Sequence, residues 1–226
     1  MNSIALRLEQ VRVRIAAAVS NAGRHLSNVR LIAVSKTQPA AALREAYSQG
    51  QRDFGENYLQ EALSKQAELA DLDIVWHFIG PIQSNKTRAL ASHFQWVHTL
   101  DRLKIAQRLS EQRPAELPPL NVCIQVNISS EETKSGISLT ELPALANAVA
   151  KLPRLKLRGL MAIPAPTAAL EQQRAAFSTL RKAMENLHID NLDTLSMGMS
   201  DDLEAAIGEG STMVRIGTAI FGKRLT

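Results

Sequence analysis

The chain has a single cysteine and only 4% aromatic residues. One thiol cannot close an internal disulfide, which suits a reducing compartment, so a cytoplasmic protein is expected. Cys123 lies inside the apolar run LNVCIQVNI, the setting of a small buried strand residue rather than of a nucleophile. So few aromatics leave little for stacking on bases, and the 26 Lys and Arg against 22 Asp and Glu are spread along the chain, not gathered in a block. Nucleic acid is not the expected partner. No stretch approaches the roughly 20 apolar residues that cross a bilayer, so neither is a membrane. His25, His93, His98 and His188 have no metal-ligand spacing, and no metal is expected. No Gly-x-Gly-x-x-Gly follows the first apolar strand, which argues against a dinucleotide site of that type.

What is present is a regular alternation. Short β-rich runs occur at 31–35, 52–55, 73–80, 94–100, 120–128, 155–163, 193–198 and 213–221. Helical patterns lie between them, the clearest carrying Leu170, Phe177, Leu180, Met184 and Leu187 on one face. Several strands are apolar at consecutive positions, as in parallel sheets buried on both faces. Eight strands joined by helices can close on themselves and remove both edges, whereas an open doubly wound sheet suits the count less well. The expectation is an α/β fold, one (β/α)8 barrel domain spanning residues 1–226. An extra N-terminal helix covers one end of its core. That helix is read from Ile4, Leu8, Val11, Ile15 and Val19, which recur at helical spacing. A mitochondrial presequence is the rival reading of the segment, opposed by Glu9 and by the stop at Asn21–Gly23.

A barrel places functional residues at the carboxyl ends of its strands. Strand one ends in Ser35-Lys36, strand two runs into Glu56-Asn57, strand three carries His77, strand seven opens into Met199-Ser200-Asp201 and strand eight contains Arg215-Ile216-Gly217-Thr218. Lys36 ends an apolar strand, where an ammonium is costly to desolvate; a lysine there pairs with an acid, snorkels out, or serves as a neutral nucleophile able to form an imine. Small residues Gly198, Ser200, Gly217 and Thr218 follow strands seven and eight, where barrels commonly build phosphate sites, although Asp201 and Asp202 also suit plain helix capping. Arg215 sits in an apolar strand and must have an acceptor, since it keeps its charge. A core lysine, a phosphate cup and an arginine between them describe an aldehyde cofactor bearing a phosphate. Pyridoxal 5′-phosphate (PLP) has all three features.

The motifs AVSKTQP, DFGENYLQE, WHFIGPIQSNK, VHTLDR, VNISSEETKSGI, LRGLMAI and LSMGMSDDLEAAIGEGSTMVRIGTAIFG resemble, in order, those of the PLP homeostasis protein family, related to the barrel domain of alanine racemase. The resemblance runs from about Leu31 to Lys223. It implies that Lys36 carries the imine, that Ser200, Gly217 and Thr218 grip the phosphate, with Met199 beside them, and that Arg215 faces the pyridine nitrogen while Asn57 and His77 line the ring pocket. Glu131 and Glu132 with Lys134 read as a solvated loop, although Lys134 matches the family's TKSGI turn, for which a place near the mouth is the alternative. Gln38 departs from the pattern, in which a second lysine often stands two residues after the first.

The resemblance also implies function: a PLP carrier that binds, buffers and delivers the cofactor to PLP-dependent apoenzymes, with no catalytic residue of its own. An arginine at the pyridine nitrogen keeps it unprotonated and damps carbanion chemistry. Racemases of the related fold add a second base from a further domain and partner subunit, for which 226 residues leave no room, so a monomer is expected. His77 and Tyr58 are the nominees for such a base. A PLP-dependent racemase or dehydratase and a barrel that binds only phosphate remain the alternatives.

Overall fold

The computed structural model describes residues 3–129 and 135–222. In it the apolar runs form eight parallel strands, each paired with the next and the last with the first, a closed (β/α)8 barrel. The strands are β1 (Arg30–Val34), β2 (Asp53–Glu56), β3 (Val75–Phe78), β4 (Trp96–Leu100), β5 (Leu120–Gln125), β6 (Leu155–Met161), β7 (Thr194–Ser196) and β8 (Met213–Ile216). The helices are α1 (Ile4–Asn21), α2 (Ala40–Ser48), α3 (Leu59–Glu68), α4 (Thr87–His93), α5 (Leu103–Gln112), α6 (Leu142–Ala150), α7 (Leu170–Glu185), α8 (Leu203–Gly208) and α9 (Thr218–Phe221).

Strand side chains alternate between two cores. Outward residues such as Ala33, Phe54, Val97, Ile124 and Val214 pack beneath the helices in the large apolar layer. Inward residues Ile32, Trp96, Cys123, Met161 and Met213 form a separate cluster that fills the barrel. The alternation carries past the strand ends. Ile32, Val34 and Lys36 share one face of β1, and Ser35 belongs to the other. In β2, Asp53, Gly55 and Asn57 share the inner face, while Glu56 points towards α3. That two-residue rhythm decides which polar groups reach the mouth.

Two features differ from the sequence reading. The run at 213–221 is not one strand: β8 stops at Ile216, and Gly217 turns the chain into the single-turn helix α9. One helical turn leaves no periodicity to detect, and its apolar residues imitate a strand. The N-terminal helix is present, but it lies in the outer ring rather than over an end. It packs against α2, α8 and α9, because α9 is too short to fill the gap beside β8 and β1. Its buried stripe of Ile4, Leu8, Val11, Ile15, Ala18 and Val19 matches the sequence spacing. Leu170, the first residue of α7, is exposed, whereas Phe177, Leu180 and Leu187 are buried.

Candidate functional site

A cavity of about 530 Å³ opens at the carboxyl ends of the strands, within the usual range of small-molecule sites. Val34 lines it from β1, Lys36, Asn57 and Ile79 from just beyond β1, β2 and β3, and Ile163 from beyond β6. Met199, Ser200 and Asp201 close one side after β7, and Arg215, Gly217, Thr218 and Ala219 close it along β8 and α9. Arg14 reaches in from α1. Seven of the eight residues expected from the sequence therefore meet in one cavity. Arg14 and Ile163 were not legible there, since the Arg14 guanidinium contacts Ser200 across 186 positions.

His77 is the exception, and its placement corrects the expectation that it lines the pocket. It points inward, as Ile79 does two residues later, but one layer deeper, and is wholly buried. There it belongs to a chain of hydrogen bonds through the barrel interior. Its Nε2 lies 2.9 Å from Asp53 Oδ1, and its Nδ1 lies 3.0 Å from His98 Nε2. His98 Nδ1 lies 2.8 Å from Ser196 Oγ, which accepts from the Arg215 guanidinium at 2.8 Å. With both rings neutral, one arrangement satisfies every link: His77 donates to Asp53, His98 to His77, and Ser196 to His98. Burial favours that state, pushing His77 below the ordinary histidine range and His98 well below it, the latter also because its proton would face any proton on His77 and the Arg215 cation. Tyr58 is 55% exposed and lies outside the cavity lining.

Arg215 is the buried cation of the site. Ser196 Oγ and the Ala162 carbonyl, 3.0 Å away, hold its two terminal nitrogens. Burial lowers its pKa to about 10, so it stays charged at neutral pH. Cys123, in contrast, is pushed up to about 12 by burial, which leaves it a neutral thiol inside the barrel.

Lys36 stands in a tight turn rather than on the strand itself. Thr37, the next residue, has φ of 64°, a left-handed conformation that a threonine adopts only under constraint. On the cup side, the Met199 N–H donates to Asp202 Oδ1 at 2.6 Å, and the Ser200 carbonyl accepts from Arg14 at 3.0 Å. Asp202 precedes α8 without capping it; its carboxylate folds back to fix the turn. Gly217 and Thr218 begin α9, where first-turn amides lack partners within the helix. Gly80 has a positional reason to be glycine, since a Cβ there would fall 2.1 Å from the Asn57 carbonyl that it packs against.

The residues present fit a phosphorylated aldehyde. The Asn57 Oδ1 atom is buried on the cavity wall without a hydrogen-bond partner among the described residues, and a buried acceptor left so calls for a donor from a ligand. An amine, hydroxyl and glycine groups and a fixed guanidinium around one cavity match the amine-reactive, anionic and ring-nitrogen parts of such a molecule.

The alanine racemase N-terminal domain family matches residues 8–224. Over 224 aligned residues, the pyridoxal phosphate homeostasis protein of Pseudomonas aeruginosa is 68% identical, covering 99% of this chain and 97% of its own length. The chain belongs to the pyridoxal phosphate homeostasis protein family. The family member from Escherichia coli K12 is 58% identical over 99% of this chain and 98% of its own. PipY of Synechococcus elongatus, solved with PLP bound, superposes with a TM-score of 0.86 at 39% identity, covering 97% of this chain and all of its own. Alanine racemase from Corynebacterium glutamicum shares the fold alone, with a TM-score of 0.69 at 17% identity over 96% of this chain and 62% of its own. Of the stretch matched to pyridoxal phosphate homeostasis proteins by motif, residues 130–134, Lys134 among them, and Lys223 lie outside the described residues.

Proposed function

We propose that this chain holds PLP as an imine on Lys36 and serves as a reservoir and donor of the cofactor rather than as a catalyst. The observation that carries the reading is the meeting of Lys36, buried Arg215, partnerless Asn57 Oδ1 and the Ser200, Gly217 and Thr218 turns around one cavity. When bound, the cofactor supplies an aldehyde carbon open to attack by amines. Lys36 would capture it, the turns after β7 and β8 would hold the phosphate, and Arg215 would face the pyridine nitrogen, discouraging its protonation.

The names of the P. aeruginosa and E. coli relatives and the PLP-bound PipY structure support the ligand. Their names, homeostasis proteins and not enzymes, support the carrier role. Among the described residues no histidine, tyrosine or cysteine lines the cavity, so the nominated bases His77 and Tyr58 are not beside it. Two-base racemisation needs a proton acceptor on each face of the substrate, and Asp201 puts a carboxylate on this wall, so activity has to be tested directly. The deciding experiment follows deuterium exchange at the α-carbon of alanine and serine alongside transfer of PLP to an apoenzyme. Transfer without exchange above a Lys36→Ala control is expected. Rapid exchange dependent on Lys36 would overturn the carrier reading in favour of a racemase or dehydratase.

A further inference from the structure

Behind the Lys36 turn, on the side away from the cavity, sits a second lysine. Lys65 projects from α3 and is only 4% exposed. Its ammonium donates to Glu56 Oε1 at 2.7 Å, to Glu61 Oε1 at 2.6 Å and to the backbone carbonyl of Ser35 at 2.7 Å. The same two carboxylate oxygens also hold the chain on either side of Lys36. Glu56 Oε1 accepts from the Ser35 hydroxyl at 2.6 Å, and Glu61 Oε1 accepts from the Thr37 amide at 2.5 Å. The residue before Lys36 and the residue after it are thus tied to one ionic cluster, buried at Lys65 and Glu56 and partly exposed at Glu61.

We infer that Lys65, Glu56 and Glu61 are positioning residues for Lys36. The inference rests on Lys36 being the imine lysine. Thr37 is held at a positive φ that an unconstrained threonine would leave, and the hydrogen bond from its amide to Glu61 opposes that relaxation. Lys65 fixes the two carboxylates and occupies three acceptors with its three N–H groups, so it is a brace and not a spare nucleophile. A lysine on an unbraced turn would sample orientations away from the cavity, and the link it forms would be exchanged more readily with competing amines.

Glu61 is the gentlest place to test the cluster, because its side chain is 28% exposed and its loss leaves Lys65 paired with Glu56. Two readouts apply. One is deuterium exchange of the Thr37 amide in the protein without cofactor; the other is loss of bound PLP absorbance on challenge with hydroxylamine. In Glu61→Ala both are expected to quicken by about tenfold, equivalent to about 1.4 kcal/mol, while the melting temperature stays within a few degrees of the parent. Glu61→Gln keeps an acceptor oxygen and is expected to restore both rates towards the parent value. Parent-like rates in Glu61→Ala, or a Gln variant as fast as the Ala variant, would overturn the positioning role. If the parent protein takes up no PLP, the reading of Lys36 fails by itself, and the Thr37 exchange still decides whether Glu61 braces the turn.

Discussion

At the scale of single residues, charge in apolar surroundings is the informative signal. Lys36 and Arg215 stand out in the sequence because each follows or interrupts an apolar strand, and the structure brings both to the cavity. His77 stands out for the same reason but lies one layer too deep. Alternation along a strand tells which way a side chain points; its depth depends on the stagger of strands around the barrel, which a single strand does not reveal. The buried histidines carry a pH prediction. Burial holds His98 neutral in the folded state, whereas the unfolded chain accepts a proton near the ordinary value of about 6.5. Its contribution to stability is therefore present above that value and lost as pH falls below it, with His77 adding in the same direction. Urea midpoints should show a loss of about 1–2 kcal/mol between pH 8 and pH 5.5. His98→Gln should be less stable at pH 8 and show a shallower slope. An equal slope in both proteins would exclude the histidine origin.

At the scale of elements, the strands and most helices follow the apolar periodicity, and the discrepancies fall where elements are short or meet distant ones. α9 is one turn long, and α1 owes its place in the ring to the brevity of α9. Close backbone approaches are equally hidden in the sequence. Gly159 in β6 has φ of 155°, and a Cβ there would fall 1.9 Å from the Thr194 carbonyl of β7. Gly159→Ala must therefore push β6 and β7 apart below the cup. It is expected to cost about 3 kcal/mol in urea unfolding. A midpoint equal to that of the parent would show that β6 and β7 have slack the structure does not suggest.

At the scale of the molecule, closure of the barrel makes the site. Residues from β1, β2, β7 and β8 are up to 182 positions apart in sequence, from Lys36 to Thr218, yet line one mouth. Closing the sheet sets β8 beside β1, which brings the turn at Gly217 and Thr218 next to the Lys36 turn. The likeness to alanine racemase is a likeness of this scaffold and carries no statement of activity. The direct measurement is borohydride reduction of the protein after incubation with PLP, followed by peptide mass mapping. A single pyridoxyl group on the peptide containing Lys36, absent from Lys36→Ala, is the expected result. A parent protein that stays unlabelled, or labels elsewhere with Lys36 untouched, would contradict the account.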